Sequence, residues 1–247
     1  LYHQRYSTNT FPTWRLAQPF RMLAHNGEIN TLSGNVNWMR SHETRMESDA
    51  FGKHVEDIKP VIAPGNSDSA SLDNAFELLV RGGRTAPMAK CLMIPDAWSH
   101  KTTMSQELRD FYSYCNCVME PWDGPAAITA TDGRWVLGGV DRNGLRPMRY
   151  TVTVDGLLVM GSESGMVPIR ETEIIEKGRL GPGQMIAVDL AEGKLYHDTD
   201  LKQQLATAQP FGEWAKNMKP IDDVIRPEQA AAAEFTGEEL RRRQVAA

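Results

Sequence analysis

Ala126-Ala127-Ile128-Thr129-Ala130-Thr131-Asp132-Gly133-Arg134-Trp135-Val136-Leu137-Gly138-Gly139-Val140 decides how this chain folds. Two β-rich runs, 126–130 and 135–140, flank Asp132-Gly133. Asp-Gly tolerates the positive φ that a tight reversal needs, so the stretch reads as an antiparallel hairpin. The signal recurs downstream. Residues 149–154 and 157–161 flank Asp155-Gly156, and residues 185–190 and 194–197 flank Glu192-Gly193. Repeated local hairpins give antiparallel sheet, because a parallel pair needs a long crossover. Gly138-Gly139 and Asp141-Arg142-Asn143-Gly144 lack the spacing of a phosphate loop and read as a turn between strands.

Upstream, the pattern changes to helical spacing within a loop-rich, polar first third. Leu32, Val36 and Met39 predict a helix from about Leu32 to Met46. Asn66-Ser67-Asp68-Ser69-Ala70-Ser71 can cap a second helix. Its apolar face is Leu72, Ala75, Phe76 and Leu79, and Gly82-Gly83 ends it. A third helix is predicted around Met104 to Tyr114, with Leu108 and Phe111 inward. Helices segregated from meandering strands predict an α+β layered fold. A third zone starts near Leu201. In it Gln229 to Glu234 is Ala-rich, and Glu238-Glu239 precedes Arg241-Arg242-Arg243 in the order that allows i, i+4 pairs on a solvated helix face.

The composition excludes several classes. The chain has 247 residues, 41% hydrophobic and 24% charged, with a formal net charge of −5. That is a globular balance, ample for a core and unlike a disordered chain. It leaves no basic footprint for nucleic acid. No apolar run approaches the roughly 20 residues of a membrane span. Cys91, Cys115 and Cys117 are too few for a disulfide scaffold and point to a reducing compartment. Their spacing completes no zinc site, so they read as small buried hydrophobes. The six histidines show no metal-ligand spacing. Trp122 and Asp123 read as core and turn.

Three short runs carry chemistry. In His3-Gln4-Arg5-Tyr6-Ser7-Thr8, Arg5 offers a planar fork that matches a carboxylate, or a plain salt bridge. In His25-Asn26-Gly27-Glu28-Ile29-Asn30, the Asn26 amide and the Gly27 N–H are able to converge on one oxygen as an oxyanion hole; the same pair also makes an ordinary turn. Asp68 is an ammonium partner or a helix cap. Taken together they define a ligand with a carboxylate, an ammonium and a carbonyl, which glutamine fits.

On these residues the chain resembles the class-II glutamine amidotransferase domain of glutamate synthases. The matching runs are 3–12, 25–32, Asn66 to Asn74, Glu120-Pro121-Trp122-Asp123-Gly124-Pro125-Ala126 and Asp141 to Pro147. The resemblance implies the N-terminal-nucleophile hydrolase fold, a four-layer αββα sandwich of antiparallel sheets. Residues 1–205 would be the C-terminal part of the amidotransferase domain. Residues 206–247 would be a linker and the start of the central domain. Arg5 would hold the glutamine α-carboxylate and Asp68 its α-ammonium, with Asn26 and Gly27 as the oxyanion hole. Ammonia released from glutamine would serve the reductive conversion of 2-oxoglutarate to glutamate. The full enzyme would use FMN and an iron–sulfur cluster, neither of them held by this chain. Its partners would be the remaining domains of the large chain and a small electron-donating subunit, in the cytoplasm or a plastid.

One feature departs from the family pattern. Class-II amidotransferases use a Cys at the mature N-terminus, whose own α-amino group, with a pKa of roughly 7.7–8.0, suits a general base. Residue 1 here is Leu, and none of the three cysteines matches that position. The reading is therefore a fragment without the nucleophile, expected to be inactive and poorly folded alone. Two other readings stand beside it: an amidotransferase of the phosphoribosylamine-forming type, and a non-catalytic glutamine-binding module.

Overall fold

In the computed structural model, which describes residues 1–99, 101–225 and 237–246, the Asp132-Gly133 hairpin is the centre of the larger sheet. Strand β2 (Ala126–Thr131) pairs antiparallel with β3 (Trp135–Val140), with Ala130 opposite Leu137. The Asp132 carboxylate organises the reversal. Its Oδ1 accepts from Trp135 N at 2.6 Å, and its Oδ2 accepts from Ala86 N at 2.8 Å. On one side β2 pairs with β1 (Leu23–Gly27). On the other, β3 pairs with β7 (Met185–Asp189), and β7 with β8 (Lys194–Tyr196). A smaller sheet has β4 (Arg149–Thr153) between β5 (Leu158–Gly161) and β6 (Ile174–Arg179). All these pairings are antiparallel.

The period-2 rule of strands separates the two faces of the large sheet. Ala126, Ile128, Ala130, Trp135, Leu137, Met185 and Ala187 belong to the main core. Ala127, Val140 and Met148 form a second cluster on the opposite face. The main core is shared with α2 (Asp68–Arg81), α3 (Ala86–Met93), α4 (Gln106–Val118) and α5 (Asp198–Thr207). The opposite face takes the small sheet, and Gly138 marks the contact. A Cβ there would lie 2.6 Å from Met148 Sδ and 2.7 Å from Met160 Sδ. The fold is thus α+β, with two antiparallel sheets face to face beneath a helical layer, in keeping with the expected sandwich.

Helices α2, α3 and α4 start where short polar side chains satisfy free N–H groups. Ser67 accepts from Ala70 N, Thr85 from Met88 N and Ser105 from Leu108 N. The remaining helices are α1 (Leu32–Glu43), α6 (Phe211–Ala215) and α7 (Gly237–Ala246). In α7, Arg242 pairs with Glu238 at i, i+4. The Ala-rich run 229–234 lies outside the described residues.

Several sequence expectations need correction. The first third is not merely loops, since it supplies β1. Gly138-Gly139 lies inside β3, where a Cβ at 138 would press on the sulfurs of Met148 and Met160; the turn is Asp141 to Gly144, closed by Gly144 N on Asp141 O at 3.0 Å. The third predicted helix is α4, shifted to 106–118. Strand β6 and helix α3 were not anticipated. Past residue 205, Phe211 is still buried and packs its ring on Phe111 and Tyr114 of α4.

A buried cation pair sits under β3 and β7. Lys90 and Lys202 both donate to Gly183 O at 3.1 Å. Lys202 also pairs with Asp198 at 2.9 Å and Asp96 at 3.3 Å, whereas among the described residues Lys90 makes no close ion pair. Burial, then the Lys202 charge, pushes the Lys90 ammonium down to about 8. A lowered native pKa means the folded state holds fewer protons between about 8 and 10.5. The penalty is therefore full below pH 8 and relieved as pH rises through that window. Lys90→Met removes it and leaves Gly183 O with Lys202. Urea denaturation at pH 7 should show a gain of about 1–4 kcal/mol that shrinks toward pH 10. A loss of that size at pH 7 would show that the Lys90 charge stabilises the fold.

Candidate functional site

Strand β1 ends in the Asn26-Gly27 run, and its neighbours explain why position 27 is glycine. A Cβ there would lie 1.8 Å from Pro125 O and 2.8 Å from His25 Nε2. The following residues zip onto the same strap. Glu28 N donates to Pro125 O at 2.9 Å, Asn30 N to Asp123 O at 2.8 Å, and Asp123 N to Thr31 Oγ1 at 3.0 Å. Gly124 faces Glu28 O, where a Cβ would lie 2.0 Å away. The 26–31 loop and the 123–125 strap are therefore one rigid unit, positioned by the register of Gly27 opposite Ala126.

Asp68 joins this unit from α2. Ser67, not Asp68, caps the helix. The Asp68 side chain is 8% exposed and reaches across to accept from Ile29 N at 2.9 Å. It stands at the positive end of α2, which favours a carboxylate. Arg5 lies on the exposed N-terminal segment. Its strand segment is set by the Tyr6–Ala17 bridge, by Ser7 N on Leu16 O, and by Gln18 N on Arg5 O at 3.4 Å. The Gln18 side chain then clasps the His25 backbone, accepting from its N–H at 2.7 Å and donating to its carbonyl at 3.0 Å. Further ties are Arg15 to Asn66 at 2.7 Å and Asn9 to Glu28 at 3.1 Å.

The structure thus connects the stretches bearing Arg5, Asn26, Gly27 and Asp68 through a few hydrogen bonds. Arg5 and Asn26 are exposed, and among the described residues their side chains make no hydrogen bond. The Arg5 salt bridge allowed by the sequence does not form, and Asn26-Gly27 is a strand end, not a hairpin turn. Both side chains are therefore left open, whereas the Asp68 carboxylate is fixed in place by Ile29 N. Two cavities, of about 210 and 160 Å³, are lined by other residues: the first between α1 and residues 60–66, the second by Asp96, Trp98, Trp122 and Arg142.

Sequence reasoning gave no role to His25, Ser69 or Asp141. His25 Nδ1 lies 2.8 Å from Ser69 Oγ and 3.9 Å from Asp68 Oδ2. Burial lowers its pKa below the usual 6.5 against the pull of Asp68, which favours the neutral ring. The buried Asp141 carboxylate accepts from the backbone N–H groups of Ala126, Asn143, Leu145 and Arg146, at 2.9 to 3.3 Å. It thereby fixes the Asp141–Pro147 loop beside the strap, where Arg142 pairs with Asp123 at 2.8 Å. That loop was visible only as a motif of unknown use.

Cys91 and Cys115 are buried, and burial raises both thiols above their ordinary range, which disfavours the thiolate. Cys117 is exposed and faces Met218 Sδ at 3.2 Å. Among the described residues no three His, Cys, Asp or Glu gather as metal ligands. No helix there is long and apolar enough to cross a membrane.

Residues 1–214 match the family model of class-II glutamine amidotransferases. The chain belongs to that family. Among curated relatives of this class-II amidotransferase, the glutamate synthase [NADPH] large chain of Azospirillum brasilense is 61% identical over all of this chain and 16% of its own length. Ferredoxin-dependent glutamate synthase 2 of Synechocystis sp. is 50% identical over 87% of this chain and 14% of its own. The glutamate synthase [NADPH] large chain of Bacillus subtilis is 48% identical over 87% and 14%. The amidotransferase chain thus spans about one sixth of the relatives' length.

Proposed function

We propose that this chain is the glutamine-recognition part of a glutamate synthase-type enzyme. The observation that carries the reading is the anchoring of Asp68 to Ile29 N, three residues past the open Asn26 amide. It ties an anionic group to the loop that carries the Asn26 amide. The Arg5 fork takes the α-carboxylate, Asp68 the α-ammonium, and Asn26 with the Gly27 N–H the carboxamide oxygen. That oxygen gains charge as a nucleophile adds to the side-chain carbon. Donors preorganised for it lower the barrier, and removing one typically costs about 10²–10³ in rate.

In the reaction a thiolate forms a C–S bond to that carbon. The C–N bond then breaks, and the nitrogen leaves with a proton as ammonia. Water hydrolyses the thioester to glutamate and regenerates the thiol. We assign the thiol to none of Cys91, Cys115 and Cys117. Two are buried with raised pKa, and the third is exposed against Met218. Ammonia passes to 2-oxoglutarate elsewhere in such an enzyme. The residues here do not fit an iron–sulfur centre, because among the described residues the thiols do not gather, and no step above runs through that centre or through FMN. The remaining large-chain domains and a small electron-donating subunit are its proposed partners. The proposed location is the cytoplasm, or a plastid as in the relatives named chloroplastic. Residues 1–205 form the recognition unit. Residues 206–247 lead to the central domain, with α6 packing back on α4.

Three-point recognition has a stereochemical consequence. Isothermal titration should show binding of L-glutamine, with D-glutamine and L-asparagine each at least ten times weaker. Equal affinity for both enantiomers would rule out the assigned contacts.

A further inference from the structure

We propose that His25 is a positioning residue for the α-ammonium subsite, a neutral spacer that keeps the Asp68 carboxylate free for its ligand. The proposal rests on the glutamine reading above and concerns a residue outside its substrate contacts.

The ring is fully buried between β1 and α2. Its backbone is clamped at both polar groups by Gln18, so the ring has a fixed origin. On one side Nδ1 lies 2.8 Å from Ser69 Oγ. On the other, Nε2 abuts the Gly27 Cα and the Pro125 strap, whose backbone carbonyl attracts the ring's proton. The Pro125 contact accounts for Nε2 and leaves Nδ1 to be explained.

Proton inventory supplies the reason. Ser69 has one hydroxyl proton and two acceptors, His25 Nδ1 at 2.8 Å and Asp68 Oδ1 at 3.4 Å. The shorter contact wins. Ser69 donates to the imidazole, and the ring carries its own proton on Nε2. Asp68 Oδ1 then stays uncommitted while Oδ2 holds Ile29 N. A ring without Nδ1 returns the Ser69 proton to Asp68. A protonated ring would pair with Asp68 across 3.9 Å and compete with the ligand's ammonium. The charged groups facing the ring are Asp68 from α2, His3 from the N-terminal segment and Arg146 from the Asp141 loop. The last two disfavour a second positive charge there.

The test compares L-glutamine with glutaramate, which lacks the α-amine, by NMR titration of the wild type, His25→Leu and His25→Asn. Asn keeps an acceptor near the Nδ1 position, whereas Leu fills the space without one. Leu should weaken L-glutamine at least tenfold and leave glutaramate within twofold. Asn should restore most of the loss. Asp68→Asn added to His25→Leu should cost less than it does alone. Should the Leu variant fail to fold, Asn decides alone: near-wild-type affinity for both ligands supports the proposal, and equal weakening of both overturns it. A folded Leu variant with wild-type L-glutamine affinity also overturns it. Absence of L-glutamine binding to the wild type would instead defeat the functional reading on which this rests.

Discussion

Gly27→Ala should destabilise the fold by about 3 kcal/mol and abolish measurable glutamine binding. The added methyl would lie 1.8 Å from Pro125 O, which is backbone and has no rotamer to yield. Overpacking of this kind typically costs about 1–3 kcal/mol. Relief means moving the strap away, which breaks the bond from Glu28 N to Pro125 O. Asn26 and the backbone N–H of residue 27 would then leave the alignment that makes them joint donors. Gly124→Ala strikes the same interface from the other side, at Glu28 O, so the two substitutions together should cost less than their sum. Gly34→Ala is the control. It lies in α1 with nothing within 4 Å of a new Cβ, and should be neutral or stabilising by up to about 1 kcal/mol. Urea denaturation of the three single variants checks the ranking. A Gly27→Ala protein as stable as Gly34→Ala would mean that the loop and strap are not a rigid unit.

Asp68→Asn should separate binding from stability. The amide oxygen keeps the shape and still accepts from Ile29 N. The fold loses only the favourable charge at the start of α2, about 0.5 kcal/mol. The ligand loses its counter-ion in a largely buried position. Truncating one side of such a pair costs about 2–5 kcal/mol, so the Kd for L-glutamine should rise at least about 30-fold. Calorimetric titration and a thermal melt on the same sample measure both quantities. A Kd within threefold of wild type would remove Asp68 from the ammonium subsite. A collapse in melting temperature would show that its main role is to hold the 26–31 loop.

Much of the fold was legible because the turns announce themselves. Asp132-Gly133, Asp155-Gly156 and Glu192-Gly193 each separate strands whose apolar residues fit a half-buried sheet. Strand β1 was hidden because Leu23-Ala24-His25-Asn26-Gly27 has no β-branched residue and ends in a pair that signals a turn. It is a strand because β2 pairs with it, a tertiary cause invisible in local propensity. Strand β6 alternates in burial, but its Ile-Ile-Glu-Lys-Gly-Arg sequence reads as surface. Helix α3 follows Gly82-Gly83 and carries Pro87 and a fully buried lysine, three features that argue against a core helix. At the site, the residues open to a ligand were legible from their chemistry. Their supports were not. Gln18 and Asp141 act through backbone groups 2 to 15 residues away, Ser69 acts through the His25 ring 44 residues away, and no spacing rule links them to those groups.

A crystal structure with L-glutamine bound tests the assignment of the site most directly. The expected pose has the α-carboxylate on the Arg5 guanidinium and the ammonium within hydrogen-bond distance of Asp68. The carboxamide oxygen should face Asn26 Nδ2 and the Gly27 N–H. L-Glutamine found instead in the cavity between α1 and residues 60–66, or with its ammonium away from Asp68, would contradict it.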